Sequence, residues 1–102
     1  MSQIHNLLNE IRGRVPMYVG SNSLAKLATF LRGFKFALDK YGLAASDDFL
    51  SRFQDWIQQR FAITLSKSWE KIILFHSVDD NEAIETFWTL IDEYLREGNA
   101  GK

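Results

Sequence analysis

Apolar side chains recur along this chain every three or four residues, the spacing of helices with one buried face. Ile4, Leu7, Leu8 and Ile11 form the first stripe and predict a helix from about Ser2 to Arg12, with Gly13 as its stop. Pro16 restricts the residue before it, so Met17-Tyr18-Val19 reads as a short extended arm ended by Gly20. In that arm Met17 and Val19 need cover, and Tyr18 keeps a polar handle. A second helix begins near Ser21 or Ser23, either of which can cap it, and runs to about Tyr41 before Gly42. It carries Leu24, Leu27, Leu31, Phe34 and Leu38 at helical spacing, and Gly33 in its middle implies a close approach by another element.

Ser46-Asp47-Asp48 opens a third helix, with Ser46 as cap and two acids at the positive end of the dipole. Phe49, Phe53, Trp56, Ile57 and Phe61 carry it to about Ala62, and Ile63–Lys67 connects onward. The run Ser68–His76 is apolar on more than one side. A cap at Ser68 and a first-turn acid at Glu70 favour helix, while a short β-branched strand over Lys71–Phe75 competes. The fifth helix is the plainest: Asp79 or Asp80 caps it, Glu82 sits in its first turn and Gly98 stops it. Ile84, Phe87, Trp88, Leu90, Ile91, Tyr94 and Leu95 share one face; Glu82, Glu85, Thr89, Asp92 and Glu93 share the other. The fold class expected is all-α: a single compact bundle of about five helices over residues 1–97, with an extended arm after the first helix and a flexible tail at 98–102.

Composition narrows the chemistry. The 102 residues suit one domain, and a 46% hydrophobic content supplies a core. With no cysteine there is no disulfide framework, thiolate metal site or cysteine nucleophile. The longest unbroken apolar run, Ile72–Phe75, is far short of the roughly 20 residues of a membrane span. With no export-type N-terminal run either, a cytoplasmic location is expected. The net charge of −1 hides an asymmetry: residues 1–40 hold six basic side chains against two acids, and residues 77–97 hold seven acids against Arg96. Acids so placed either form a solvated face or meet the basic N-terminal half inside the fold.

No catalytic residue, metal site or cofactor is assigned. His5 lies near the terminus, and His76 beside Ser77 at a helix end suits a dipole partner better than half of a triad. Asp79-Asp80-Asn81-Glu82 lacks the glycine and alternating spacing of a calcium loop. Arg12, Arg14, Lys26, Arg32, Lys35 and Lys40 are the only candidates for a nucleic-acid stripe, and a pI of about 6.1 speaks against one. Among eight Phe, three Tyr and three Trp, Trp56 and Trp69 are the candidates for a partly exposed interface anchor.

Arg12-Gly13-Arg14-Val15-Pro16-Met17-Tyr18-Val19-Gly20 resembles an element found in two groups of proteins. In the ATPase subunit of gyrase-type topoisomerases it belongs to a far longer chain with an Asp-x-Gly-x-Gly loop, which is missing here. The other resemblance extends along most of the chain, to small bacterial immunity proteins of contact-dependent inhibition and polymorphic toxin systems. It rests on that arm and on Ser23-Leu24-x-x-Leu27-x-x-Phe30-Leu31-x-Gly33. It continues through Phe53-Gln54-x-Trp56, Ser68-Trp69, Ile72-Ile73-x-Phe75, Glu82-Ala83-x-x-x-Phe87 and Asp92-Glu93-Tyr94-Leu95. The resemblance implies a protein that binds and neutralises a cognate toxin domain. Many such toxins are basic nucleases, for which an acidic helix face is the electrostatic complement. Asp79, Asp80, Glu82, Glu85, Asp92 and Glu93 are therefore the expected partner-binding residues. The alternative is a protein-binding adaptor or regulatory module with no toxin partner, in which exposed aromatics make the contact.

Overall fold

A computed structural model describes residues 2–42 and 47–100, with side chains to residue 97. Among these residues there are six α-helices and no strand: α1 (Gln3–Ile11), α2 (Val15–Val19), α3 (Leu24–Lys40), α4 (Phe49–Arg60), α5 (Trp69–Phe75) and α6 (Asp80–Ala100). Ser46, expected to cap α4, and Gly101 and Lys102 of the expected tail lie outside the described residues.

Serine side chains cap two of the helices, one of them expected; Ser68, expected to cap α5, stands at its N-cap but makes no side-chain capping bond. Ser2 Oγ accepts the His5 N–H at 3.0 Å, and Ser23 Oγ, rather than Ser21, accepts the Lys26 N–H at 3.2 Å. Between α1 and α3 the structure corrects the extended arm: Val15–Val19 is a short helix. Pro16 lies in its first turn, where a backbone N–H has no intrahelical acceptor to lose and the fixed φ is already helical. The Gly20 N–H closes the turn on the Pro16 carbonyl at 2.9 Å, and Gly20 takes φ +90°, a conformation open to glycine at little cost. Only part of α2 is covered. Val15 is buried and Val19 packs against the core, whereas Met17 is 82% exposed.

Three further expectations change. Gly33 permits no close approach, because a Cβ built there meets nothing within 4 Å. Helix α6 continues past Gly98 to Ala100. Trp69 is not an interface anchor: it is 3% exposed, while Trp56 is half-buried.

Trp69–Phe75 is helix, and its packing explains its many-sided apolarity, since α5 touches α3, α4 and α6. Its start is set from α4. Gln54 Oε1 accepts the Trp69 N–H at 2.7 Å while Gln54 Nε2 donates to the Lys67 carbonyl at 2.6 Å. The core joins Ile4, Leu8 and Ile11 of α1 to Leu24, Leu27 and Leu31 of α3, with Phe53, Ile57, Ile72, Ile73, Phe87 and Ile91. Phe53 has Trp56, Trp69, Phe87 and Tyr94 around it, with ring centroids 5.5–6.0 Å away. Such edge-on and offset contacts add roughly 0.5–1.5 kcal/mol per pair beyond area burial.

Candidate functional site

The candidate surface begins where α5 hands over to α6. Asp79 Oδ1 accepts the Glu82 N–H at 2.8 Å, and Glu82 Oε1 reaches back to accept the Val78 N–H at 2.7 Å. These reciprocal bonds satisfy donors that a helix N-terminus leaves open, as in a capping box. Asp79, Asp80, Glu82 and Glu85 are all exposed. Asp80 and Glu85 have no ion-pair partner among the described residues. Asn22 donates to Asn81 at 2.7 Å, which ties the α2–α3 turn to the start of α6.

Further along α6 the acids turn inward to the fold. Both Asp92 oxygens are held by the Arg12 guanidinium at 2.7 Å, and Arg12 lies 5.2 Å from the centre of the Trp88 ring. The hydrogen bond from Arg12 holds the Asp92 carboxyl below its ordinary range. Arg60 Nε donates to Glu93 at 2.6 Å, and Trp56 Nε1 donates to Glu97 at 2.9 Å. The six acids expected to bind a partner thus divide. Asp79, Asp80, Glu82 and Glu85 line the first turns, while Asp92 and Glu93 fasten α6 to the end of α1 and to α4.

Just before the acidic turns along the chain come two exposed apolar side chains, one of which, Phe75, belongs to the apolar run of the fourth predicted helix. Phe75, the last residue of α5, is 78% exposed, and Val78 is 86% exposed. Lys67 Nζ lies 5.7 Å from the centre of the Phe75 ring. His76 stacks on Phe61 with centroids 4.9 Å apart. Ser77 Oγ donates to the Ile73 carbonyl at 2.7 Å, and His76 caps the end of α5. No family model, curated protein or solved structure matches this chain. The functional reading therefore rests on the motif resemblance and on this surface.

Two acids escaped the sequence reading because their partners are distant along the chain. Glu70, taken as a first-turn acid, is buried and receives Arg32 at 3.0 and 2.5 Å. Burial, the largest single influence, pushes the Glu70 carboxyl upward, but the Arg32 hydrogen bonds and charge together with local hydrogen bonds outweigh it, leaving the group below its ordinary range. Asp47, taken as a helix-start acid, is also buried. It accepts from Ser2 Oγ at 2.8 Å, the Ile4 N–H at 3.0 Å and the Phe49 N–H at 3.3 Å, so one carboxylate joins the first turns of α1 and α4. A space of about 320 Å³ opens beside Arg32, Lys35, Leu50 and Gln54, yet Arg32 is committed to Glu70 and Lys35 to Asp39.

Proposed function

We propose that this chain is an immunity protein, which binds a basic toxin domain in the cytoplasm and blocks its active site with the start of α6. One observation carries the reading. Asp79, Asp80, Glu82 and Glu85 are exposed at the start of α6, directly after the exposed Val78 and a few residues after the exposed Phe75. Exposed acids that follow exposed apolar residues along the chain suit a cationic, phosphate-binding cleft. The charges accelerate encounter, and the apolar pair supplies contact that excludes water. The family resemblance supports the same reading.

The test uses the cognate toxin domain that this reading requires, sought among the genes next to this one. Asp80→Lys with Glu85→Lys changes two acids that hold nothing in the fold. The expected result is a folded variant whose association with the toxin slows at least about tenfold at low salt and which protects co-expressing cells poorly. Wild-type association should itself slow as salt rises. Binding that is indifferent to both substitutions and to salt would remove the acidic surface from the interface.

A second reading, an adaptor without a toxin partner, is favoured by Phe36 near the end of α3 and Tyr41 just after it, which stand 68% and 70% exposed. In that case Phe36→Ala with Tyr41→Ala abolishes partner binding and the α6 substitutions leave it unchanged.

A further inference from the structure

We propose that the groove between α2 and α3 receives the α5–α6 junction of a second copy of this chain, giving a two-fold dimer. The groove holds about 410 Å³ of open space lined by Tyr18, Val19, Ala25, Lys26, Thr29 and Phe30. Its aromatic walls, Tyr18 and Phe30, stand 6.2 Å apart at 57°.

The electrostatics select the occupant. The chain contains no Asp or Glu between Glu10 and Asp39, so α2 is uncharged, Arg14 precedes it, and every charge on α3 before Asp39 is a cation. Arg14, at the start of α2, and Lys26, in the groove wall, have no ion-pair partner among the described residues. An occupant that fits is apolar at its tip and acidic beside it. The α5–α6 junction has that composition: Val78 is 86% exposed and is followed directly by Asp79 and Asp80.

Position makes the contact reciprocal. The Asn22–Asn81 hydrogen bond holds the α2–α3 turn against the start of α6, so groove and junction occupy the same end of the molecule. Two complementary patches side by side close on themselves when a second copy is turned through 180°, because each copy offers both patches at once. In the dimer Val78 of each copy enters the partner's groove, and Asp80 meets Lys26 on both sides of the axis.

Sedimentation of the full chain from micromolar to millimolar concentration tests this. The wild type is expected to pass from monomer to dimer, with dissociation favoured by added salt. Lys26→Glu alone and Asp80→Lys alone should each weaken the dimer at least about tenfold, since each places like charges together twice. An equimolar mixture of the two variants should dimerise again, because both contacts then pair opposite charges. Circular dichroism of each variant separates this loss from misfolding. A wild type that stays monomeric throughout, a dimer indifferent to both substitutions, or variants that fail to rescue one another would each overturn the proposal. The toxin reading uses the same α5–α6 junction, so dimer and toxin would compete for it. Lys26→Glu, which lies outside the toxin surface, separates the two, since it should weaken the dimer and leave toxin binding by the monomer unchanged.

Discussion

Single residues that cross between helices matter more here than their number suggests, and Asp47 is the clearest case. Its carboxylate is the acceptor for three groups at the starts of α1 and α4, two of them backbone N–H groups. Asp47→Ala leaves those donors without a partner and should lower the unfolding free energy by about 1–3 kcal/mol in urea titrations at neutral pH. Burial raises the Asp47 pKa, and the hydrogen bonds lower it further than burial raises it, so the folded value lies below the ordinary one. A carboxylate depressed in this way contributes stability that is fully present above its unfolded pKa of about 3.9 and is lost as pH falls through the folded value. The gap between wild type and Asp47→Ala should therefore narrow below about pH 4. A gap that stays constant to lower pH would contradict the carboxylate's role. At the end of α4, Ala62 adopts φ +54° while Ile63 N–H bonds the Gln58 carbonyl and Ala62 N–H the Gln59 carbonyl. That is a Schellman ending with alanine where glycine is preferred. Ala62→Gly should raise the denaturation midpoint, by about 0.5–1 kcal/mol in stability.

At the scale of elements, α6 separates its duties along its length and around its circumference. Phe87 is fully buried against Phe53, Trp69 and Trp88, and Phe87→Ala should cost about 3–5 kcal/mol, a large share of a small domain's stability. Glu85→Lys on the opposite face should change stability by less than about 0.5 kcal/mol. Asp92→Lys should cost more than Glu85→Lys, because it sets a cation against Arg12 and breaks a two-pronged pair. Chemical denaturation of the three variants gives the ranking. The helices themselves were legible because periodicity and caps are local signals: Ile4, Leu8 and Ile11, Leu24, Leu27 and Leu31, and Ile84, Phe87 and Ile91 all fell on buried faces. Two kinds of feature were not local. Helix α2 misled because the rule for the residue before proline competes with proline's preference for a first helical turn, and here the second prevailed. The candidate surface was half legible. The spacing of acids placed Glu82, Glu85, Asp92 and Glu93 on one side of α6, but the arginines that claim Asp92 and Glu93 lie 80 and 33 residues away. Nothing in a helical pattern distinguishes Phe75, at an exposed helix end, from a core phenylalanine.

Across the whole molecule, charge that looks divided in the sequence is partly rejoined by folding. Arg12–Asp92 connects the basic first third to the acidic last fifth, and Arg32–Glu70 and Arg60–Glu93 make two further crossings. Among the charges these pairs leave over are Arg14 and Lys26 around α2 and α3, and Asp80 and Glu85 on α6. A near-zero net charge thus coexists with two oppositely charged surfaces available for recognition. The same closure has a consequence for synthesis. Helix α1 is held at its start by Asp47 and just beyond its end, through Arg12, by Asp92, and the core it enters takes Ile84, Phe87 and Ile91 from α6. During translation the apolar stripe of Ile4, Leu8 and Ile11 therefore leaves the ribosome long before the helix that completes its surroundings. Contacts of such high sequence separation form late, and until α6 emerges the nascent chain presents a sticky, half-covered face to whatever is near. The period of greatest exposure to chaperones and proteases falls before the last helix is made.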